Sequence, residues 1–429
     1  MPRWRNAIVA MSLVGVLGLA GCSGGARQVA GCSAVRISSW GEDTATTGEF
    51  SRFGDDGARA VGWTGGDGTH SVRLPDGRTL WLADDPFLDR VHPPPNPLGQ
   101  PYWWRDTSGG RMPAWVHNAV LVMDRTGRLR QTLLGSTFAE PGSYFPDLNA
   151  DPQIWRWPMQ AVVEPRSPGA TEQVVRVLLW DRAVAPAPWL YGVPLATEVA
   201  TLSLPDLRLT GIAKVSDQWS VPAPGQRLLF GTTAVRQGSW TYVFGSDDGP
   251  GRGAASSRAY LARIPSGRLA DAAAWRYWDG GGWQPLLSHA RPVLGNGGRR
   301  GVGTGYSVVR LGGTWVLLTM DAGGPAASGL TALTSYWACS PQGPWHGPDP
   351  GFDPPLPQDG EAQGNAAIYN PQAHPEFTTG DGLLVGYDVN WLGSPAAPVD
   401  TNVNRDVALY RPRFVRLRLA PPSSGPARH

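Results

Sequence analysis

The chain has 429 residues, 37 Lys and Arg against 35 Asp and Glu, a net charge of +2, and only 17% charged residues. That balance excludes an electrostatic nucleic-acid footprint. The 56 Gly, 41 Pro and 20 Trp point to a turn-rich, exported globular protein rather than a helical one.

Arg3 and Arg5 precede an apolar run, residues 7–19, that ends in Leu19-Ala20-Gly21-Cys22. The run is too short to favour a stable membrane span. Its plan is that of a secretory signal peptide, and its last four residues resemble a bacterial lipobox. The resemblance implies cleavage before Cys22, lipidation of the Cys22 thiol, and a protein held at the outer face of the cell membrane. Residues 1–22 are therefore set aside as signal and 23–33 as a flexible tether. Residues 34–420 are expected to form one domain, and 421–429 a disordered tail. Of the remaining cysteines, Cys32 and Cys339, export permits a disulfide, with two separate thiols as the equal alternative. No Cys/His spacing suggests zinc, and no metal or cofactor is expected, a structural cation in a central channel being left open.

Beyond the tether, short apolar runs alternate with Gly, Pro, Asp and Asn, the mark of an all-β chain. Helical periodicity is confined to residues 268–274. Residues 63–88 set the pattern for the rest. A glycine-rich turn presents Asp67, a strand follows at 70–74, and Pro75-Asp76-Gly77 turns it into a second strand at 79–83 that runs into Asp84-Asp85. An antiparallel hairpin brings Asp67 and Asp85 to one end of the sheet.

A strand, a tight turn and an apolar strand ending in Asp recur five times, the terminal residues being Asp85, Asp181, Asp247, Asp321 and Asp388. The spacing exceeds the roughly 40–50 residues of compact propeller blades. It predicts a five-bladed β-propeller with long loops and four-stranded antiparallel blades. The fifth blade lacks a fourth strand at its C-terminal side. Residues 34–40 are expected to supply it, closing the ring with both chain ends in one blade and leaving no open edge.

Two insertions, 90–113 and 136–158, lengthen the first interval and carry Trp103, Trp104, Trp155 and Trp157. Aromatic faces stack on sugar rings, although most of the tryptophans are expected between blades. Inner strands line the channel of a propeller, so the residues entering them converge: Asp67, Gln160, Thr232, Tyr306 with Ser307, and Asn370 through His374. Asp67 is the one carboxylate in that set. Asp85, His117 and Asn118 come from neighbouring strands of blade 1. Two carboxylates in unlike environments are what cleavage of a glycosidic bond requires. Asp67 and Asp85 are therefore the candidate catalytic pair, with ordinary turn residues as the alternative reading. Trp103, Trp104, His117, Asn118, Trp155, Trp157, Gln160, Tyr306, Asn370 and His374 are candidate substrate contacts. For His117 and His374, a structural hydrogen bond is the equal alternative.

Thr64-Gly65-Gly66-Asp67-Gly68, Trp81-Leu82 through Asp85-Pro86-Phe87-Leu88, Val116-His117-Asn118, Ser203-Leu204-Pro205-Asp206-Leu207 and Tyr369-Asn370-Pro371-Gln372-Ala373-His374-Pro375 resemble motifs of exported bacterial proteins grouped as domain-of-unknown-function families 4185 and 5005. The resemblance covers nearly all of the chain after the tether. It implies a five-bladed propeller related to furanosidases. Some members are endo-D-arabinanases, and their catalytic pair matches Asp67 and Asp85. Two departures stand out. Asp84-Asp85-Pro86-Phe87 replaces the usual Gly-Asp-Thr-Phe, and Gln160 stands near where relatives carry an acidic residue. The expected function is a cell-envelope lipoprotein that hydrolyses a furanoside polysaccharide, D-arabinan, with two carboxylates. A non-catalytic glycan-binding propeller is the alternative, and a structural envelope lipoprotein the third reading. The expected partners are cell-wall polysaccharide and, through the lipid on Cys22, the membrane. No P-loop is present.

Overall fold

The computed structural model describes residues 31–59, 61–136, 141–146, 151, 153–185, 192–247, 257–295, 301–303, 305–320, 332–357, 366–380, 382–391 and 399–421. The expected signal with Cys22, and Asp321, lie outside the described residues. Among those residues, five antiparallel sheets surround a common axis as a five-bladed β-propeller.

Blade 1 divides its inner position between Gly65–Asp67 and Ser71–Arg73, both paired with Thr79–Phe87, and continues outward through Asn118–Met123 and Leu129–Leu133. Blade 2 runs Ile154–Pro165, Gln173–Ala183, Val193–Leu202, Leu209–Asp217. Blade 3 runs Leu228–Gln237, Trp240–Asp247, Ala259–Pro265, Arg276–Trp278, with a fifth strand, Trp283–Gln284. Blade 4 runs Tyr306–Leu311, Thr314–Met320, Leu333–Ala338, His346–Phe352. Blade 5 runs Ala366–Thr379, Gly382–Trp391, Arg413–Ala420, and its outer strand is Arg36–Glu42 from the start of the fold. That strand pairs from Arg36 opposite Ala420 to Glu42 opposite Val415. The ring is closed as expected, two residues later in the chain than 34–40.

Every blade has a neighbour on both faces, so its middle strands are buried on both sides. They read as unbroken apolar runs, such as Val174–Trp180 interrupted only by Arg176, rather than as a strict alternation. Each seam between blades is filled by one apolar cluster. Leu80, Leu82 and Val120 meet Val177, Leu179 and Ala200 between blades 1 and 2. Leu178 and Val199 meet Phe230 and Val243 between blades 2 and 3. Phe244 and Leu261 meet Trp315 and Leu317 between blades 3 and 4. Val316 and Leu318 meet Ile368 and Val385 between blades 4 and 5.

The seam between blades 5 and 1 holds an element absent from the sequence reading. The helix Thr44–Gly54 places Phe50 and Phe53 there, against Trp63, Trp81, Leu121, Leu384 and Phe414. Asp43 caps it, accepting from the Thr46 N–H at 2.8 Å. Thr44, Thr46, Thr47 and Gly48 are poor helix formers. Burial of two Phe one turn apart overrides that preference. Residues 268–274, where a helix was expected, form turns and a short 3₁₀ segment, Ala272–Ala274, capped by Asp271.

Cys32 and Cys339 form a disulfide with Cα atoms 5.5 Å apart. It ties the N-terminal arm to blade 4, where Thr314 Oγ1 also accepts from the Ser33 N–H and donates to the Ser33 carbonyl. A Cys339→Ser variant is expected to lose about 2–4 kcal/mol of stability, read as a lower denaturant midpoint. An unmoved midpoint would mean that the arm adds nothing to the fold.

Candidate active site

The site is built where the inner strand of blade 1 is broken. Asp67 ends its first piece, and the chain crosses to the second through Gly68 at φ 87° and Thr69 at φ 36°. Only glycine fits the first position, since a Cβ there would lie 2.7 Å from Asp84 Oδ2 and 3.1 Å from the Asp84 nitrogen. Asp84 is the register partner of Asp67. The next residue, Asp85, has φ 41°, and its N–H donates to the His117 carbonyl. From blade 5 comes Asn370 at φ 47°. Gly305 makes room for it, because a Cβ at 305 would sit 2.0 Å from Asn370 Oδ1. Thr69, Asp85 and Asn370 are three of the four described non-glycine residues with positive φ. Such strain persists only where surrounding contacts over-determine it, and it gathers at functional sites.

Four carboxylates meet here. Half-buried Asp67 accepts a 2.5 Å hydrogen bond from the Tyr369 hydroxyl, to which Asn390 Nδ2 donates at 3.3 Å. Burial first, then the charges of Asp388 and Asp85, push the Asp67 carboxyl well above the usual range. Asp84 is buried, its Oδ1 has no partner, and burial with the charges of Asp67, Asp85 and Asp388 pushes it well up too. Asp388 is pushed up to about 7 by burial, against the hydrogen bonds it receives from Thr69, Gly68 and Asn370. Asp85 is the more open group. Its Oδ1 lies 3.1 Å from His117 Nδ1, and its Oδ2 accepts from Trp157 Nε1 at 3.2 Å. His117 is stacked on Trp155 with ring centroids 5.3 Å apart. Burial raises Tyr369 and Tyr410 well above the ordinary phenol range, so both remain donors.

A cavity of about 380 Å³ opens above this cluster. Asp85 and Asn390 supply its polar lining, and Phe87, Met112, Trp115, Val403 and Tyr410 its apolar one. Trp115 is 46% exposed and meets His117 edge-on at 4.8 Å. The Tyr410 hydroxyl donates to the Asp85 carbonyl at 3.4 Å. The arrangement offers a carboxyl that keeps its proton, a second carboxyl held between the His117 and Trp157 rings, and an aromatic wall beside them.

The structure brings Asp67, Asp85, His117, Trp155, Trp157 and Asn370 together, and it separates the other candidates from them. Asn118 is fully buried, with its amide donating to the Phe145 and Arg156 carbonyls and its Oδ1 accepting from the Phe145 N–H. It fastens the second insertion rather than meeting a ligand. Tyr306 is fully buried between blades 3 and 4 and donates to the Gly245 carbonyl at 2.7 Å. His374 is fully buried beside Trp81 and Phe414, with Nδ1 2.6 Å from Ser71 Oγ. Burial pushes it down to about 3, so it stays neutral. None of these three can touch a substrate. Gln160 turns its Oε1 back to the Ala161 N–H. Trp104 stacks on His92, and the Trp103 carbonyl accepts from the Val407 N–H, so neither lines the cavity. The first insertion instead contributes buried Arg105. Its Nε donates to Thr64 Oγ1 and its Nη1 to the Val403 carbonyl, anchoring the approach to Asp67. Asp84, Asp388, Tyr369, Asn390, Tyr410 and Trp115 were not picked out as site residues. The terminal Asp of the fifth repeat was the available signal for Asp388, and the adjacent Asp84-Asp85 pair was the signal for Asp84.

The family described as Domain of unknown function (DUF5005) matches residues 51–419, and the chain belongs to that family. No curated protein matches it. Among solved structures it is similar to a Bacteroides ovatus protein described as a "putative hydrolase", at 15% identity and TM-score 0.61, over 88% of this chain and 90% of that one. That likeness shows the fold. It is more distantly similar to the Bacteroides ovatus protein "Xyloglucan PUL GH43B", at 10% identity and TM-score 0.43, over 85% and 53% of the two chains. It is similar in the same degree to the GH43_1 enzyme of Xanthomonas citri, at 13% identity and TM-score 0.41, over 86% and 92%. Likenesses at that level carry no argument about this chain.

The carboxylate cluster makes a prediction about stability. In the unfolded chain Asp84 ionises near pH 4, whereas in the fold it holds its proton to much higher pH. The native state therefore binds the extra proton across that window, and stability falls as pH rises. Asp84→Asn removes this dependence. Its stability relative to the wild type is expected to improve by more than about 1 kcal/mol between pH 5 and pH 8, measured by denaturant unfolding at both pH values. A constant difference would mean that Asp84 titrates normally.

Proposed function

We propose that this propeller is a glycoside hydrolase of the cell envelope, acting on a furanoside polysaccharide of the D-arabinan type. The observation that carries the reading is the pairing of a proton-retaining Asp67 with an oriented Asp85 that lines an open cavity. Asp67 is the general acid: it delivers its proton to the leaving oxygen, with Tyr369 fixing its carboxyl. Asp85 lines the cavity and is held by His117 and Trp157. It attacks the sugar or activates the water that does. Trp115 stacks on a sugar face, and Asn390 bonds a hydroxyl. The arabinan assignment rests on the motif resemblance around Asp67 and Asp85. Export and a lipid on Cys22 rest on the lipobox-like sequence at residues 19–22.

One observation favours a non-catalytic glycan-binding propeller instead. The inner strands of blades 2 and 3 bring Gln160 and Thr232 towards the axis, and neither supplies a carboxylate.

The purified protein is expected to release oligosaccharides from mycobacterial arabinogalactan. Asp67→Asn and Asp85→Asn should each lower the rate by roughly 10²–10⁴-fold without unfolding, and Trp115→Ala should raise KM more than it lowers kcat. Because the acid must carry its proton, activity should fall as pH rises through the Asp67 titration. No release, with binding to the polymer equal in wild type and variants, would replace the hydrolase by the binding propeller.

A further inference from the structure

We propose that Asp388 is the positioning residue of this site, a buried blade 5 carboxylate that fixes the Asp67-bearing turn of blade 1 across the closing seam of the ring. It is 1% exposed and does not line the cavity, so it acts through its neighbours. Asp388 Oδ2 accepts from the Gly68 N–H at 2.9 Å and from Asn370 Nδ2 at 3.2 Å, and Oδ1 accepts from Thr69 Oγ1 at 2.7 Å. Two of the three donors, Thr69 and Asn370, belong to residues in the left-handed region, as does the glycine between Asp67 and Thr69. One carboxylate thus collects the contacts that hold two unfavourable backbone conformations and the glycine turn beside them in place.

Of the other described repeat residues, Asp85 also meets the next blade, at Trp157, whereas Asp181 and Asp247 stay within their own. Asp181 faces Arg156 of its own blade, 3.6 Å away. Asp247 accepts from Arg258 Nε and the Tyr260 hydroxyl of its own blade, at 2.7 Å and 3.3 Å. Asp388, like Asp85, reaches into the next blade.

The same contacts give it an electrostatic part. The charged and titratable groups facing Asp67 are Asp84 and Asp85 of blade 1, Asp388 and Tyr369 of blade 5, and Tyr410. The three donors favour the charged form of Asp388, and that charge strengthens the hold of Asp67 on its proton. Removing that charge should lower the Asp67 midpoint.

The test reads Asp67 directly and needs no substrate. The carboxyl carbons of 13C-Asp-labelled protein are titrated by NMR, with Asp67 identified by its loss in Asp67→Asn. In Asp388→Asn the Asp67 midpoint is expected to fall by about one unit or more. The kinetic counterpart rests on the hydrolase reading: the alkaline limb of the pH–rate profile moves down by the same amount, with KM little changed. A purely structural role would lower the rate at every pH and leave the limb in place. Should Asp388→Asn not fold, Thr69→Val removes one donor, weakens the charge on Asp388, and should move the midpoint the same way. An unmoved Asp67 midpoint in either folded variant overturns the inference. A moved midpoint in a protein that cleaves no glycan supports it while sinking the hydrolase reading.

Discussion

The pairing of Arg36–Glu42 with Arg413–Ala420 is the contact on which the remainder depends. A five-bladed ring is stable because every sheet face is covered by a neighbour, and one unclosed seam would expose apolar faces on two blades. Here the start and the end of the fold meet in one blade. The helix that follows the closing strand packs Phe50 and Phe53 into the seam next to it. Arg416 of the closing pair donates to Asp43, which also caps that helix. Closure, helix and seam therefore form together.

The candidate site sits on the same seam. Asp67, Asp84 and Asp85 come from the first blade, and Asp388, Tyr369 and Asn370 from the last. Buried carboxylates close to one another repel and hold on to their protons. Their mutual distance is thus an electrostatic quantity set by ring closure. A blade edge that shifted by an ångström would change both the turn at Gly68 and the proton affinity it controls. Arg105 and Arg411 brace the approach from below. Both bond Thr64, three residues before Asp67, through its hydroxyl and its carbonyl respectively.

Much of this was legible in the sequence. The strand, turn and strand ending in Asp appear as a repeat because each blade must reverse tightly and then bury its second strand on both faces. The closing strand was legible from the edge that blade 5 would otherwise leave open. The helix Thr44–Gly54 was not, since its residues favour other conformations and only the distant Trp63, Trp81 and Phe414 reward it. Within the site, Asp67 and Asp85 could be placed together by hairpin geometry alone. Tyr410 and Asn390 could not, because nothing local says that segments hundreds of residues apart share one cavity. Asn118, Tyr306 and His374 lie in the right strands, but their side chains turn into the seams. One residue of register decides which face a strand side chain occupies.

The disulfide between Cys32 and Cys339 stands ahead of the closing strand in the chain. A pull entering from the N-terminal side therefore reaches the covalent bridge first and passes into blade 4. The hydrogen bonds between Arg36–Glu42 and Arg413–Ala420 lie downstream of that bridge and carry none of the load. Without the bridge, the same tension would peel the outer strand from its end, one bond at a time. The bridge works as a strain relief, shielding the joint that closes the ring from tension applied ahead of Cys32.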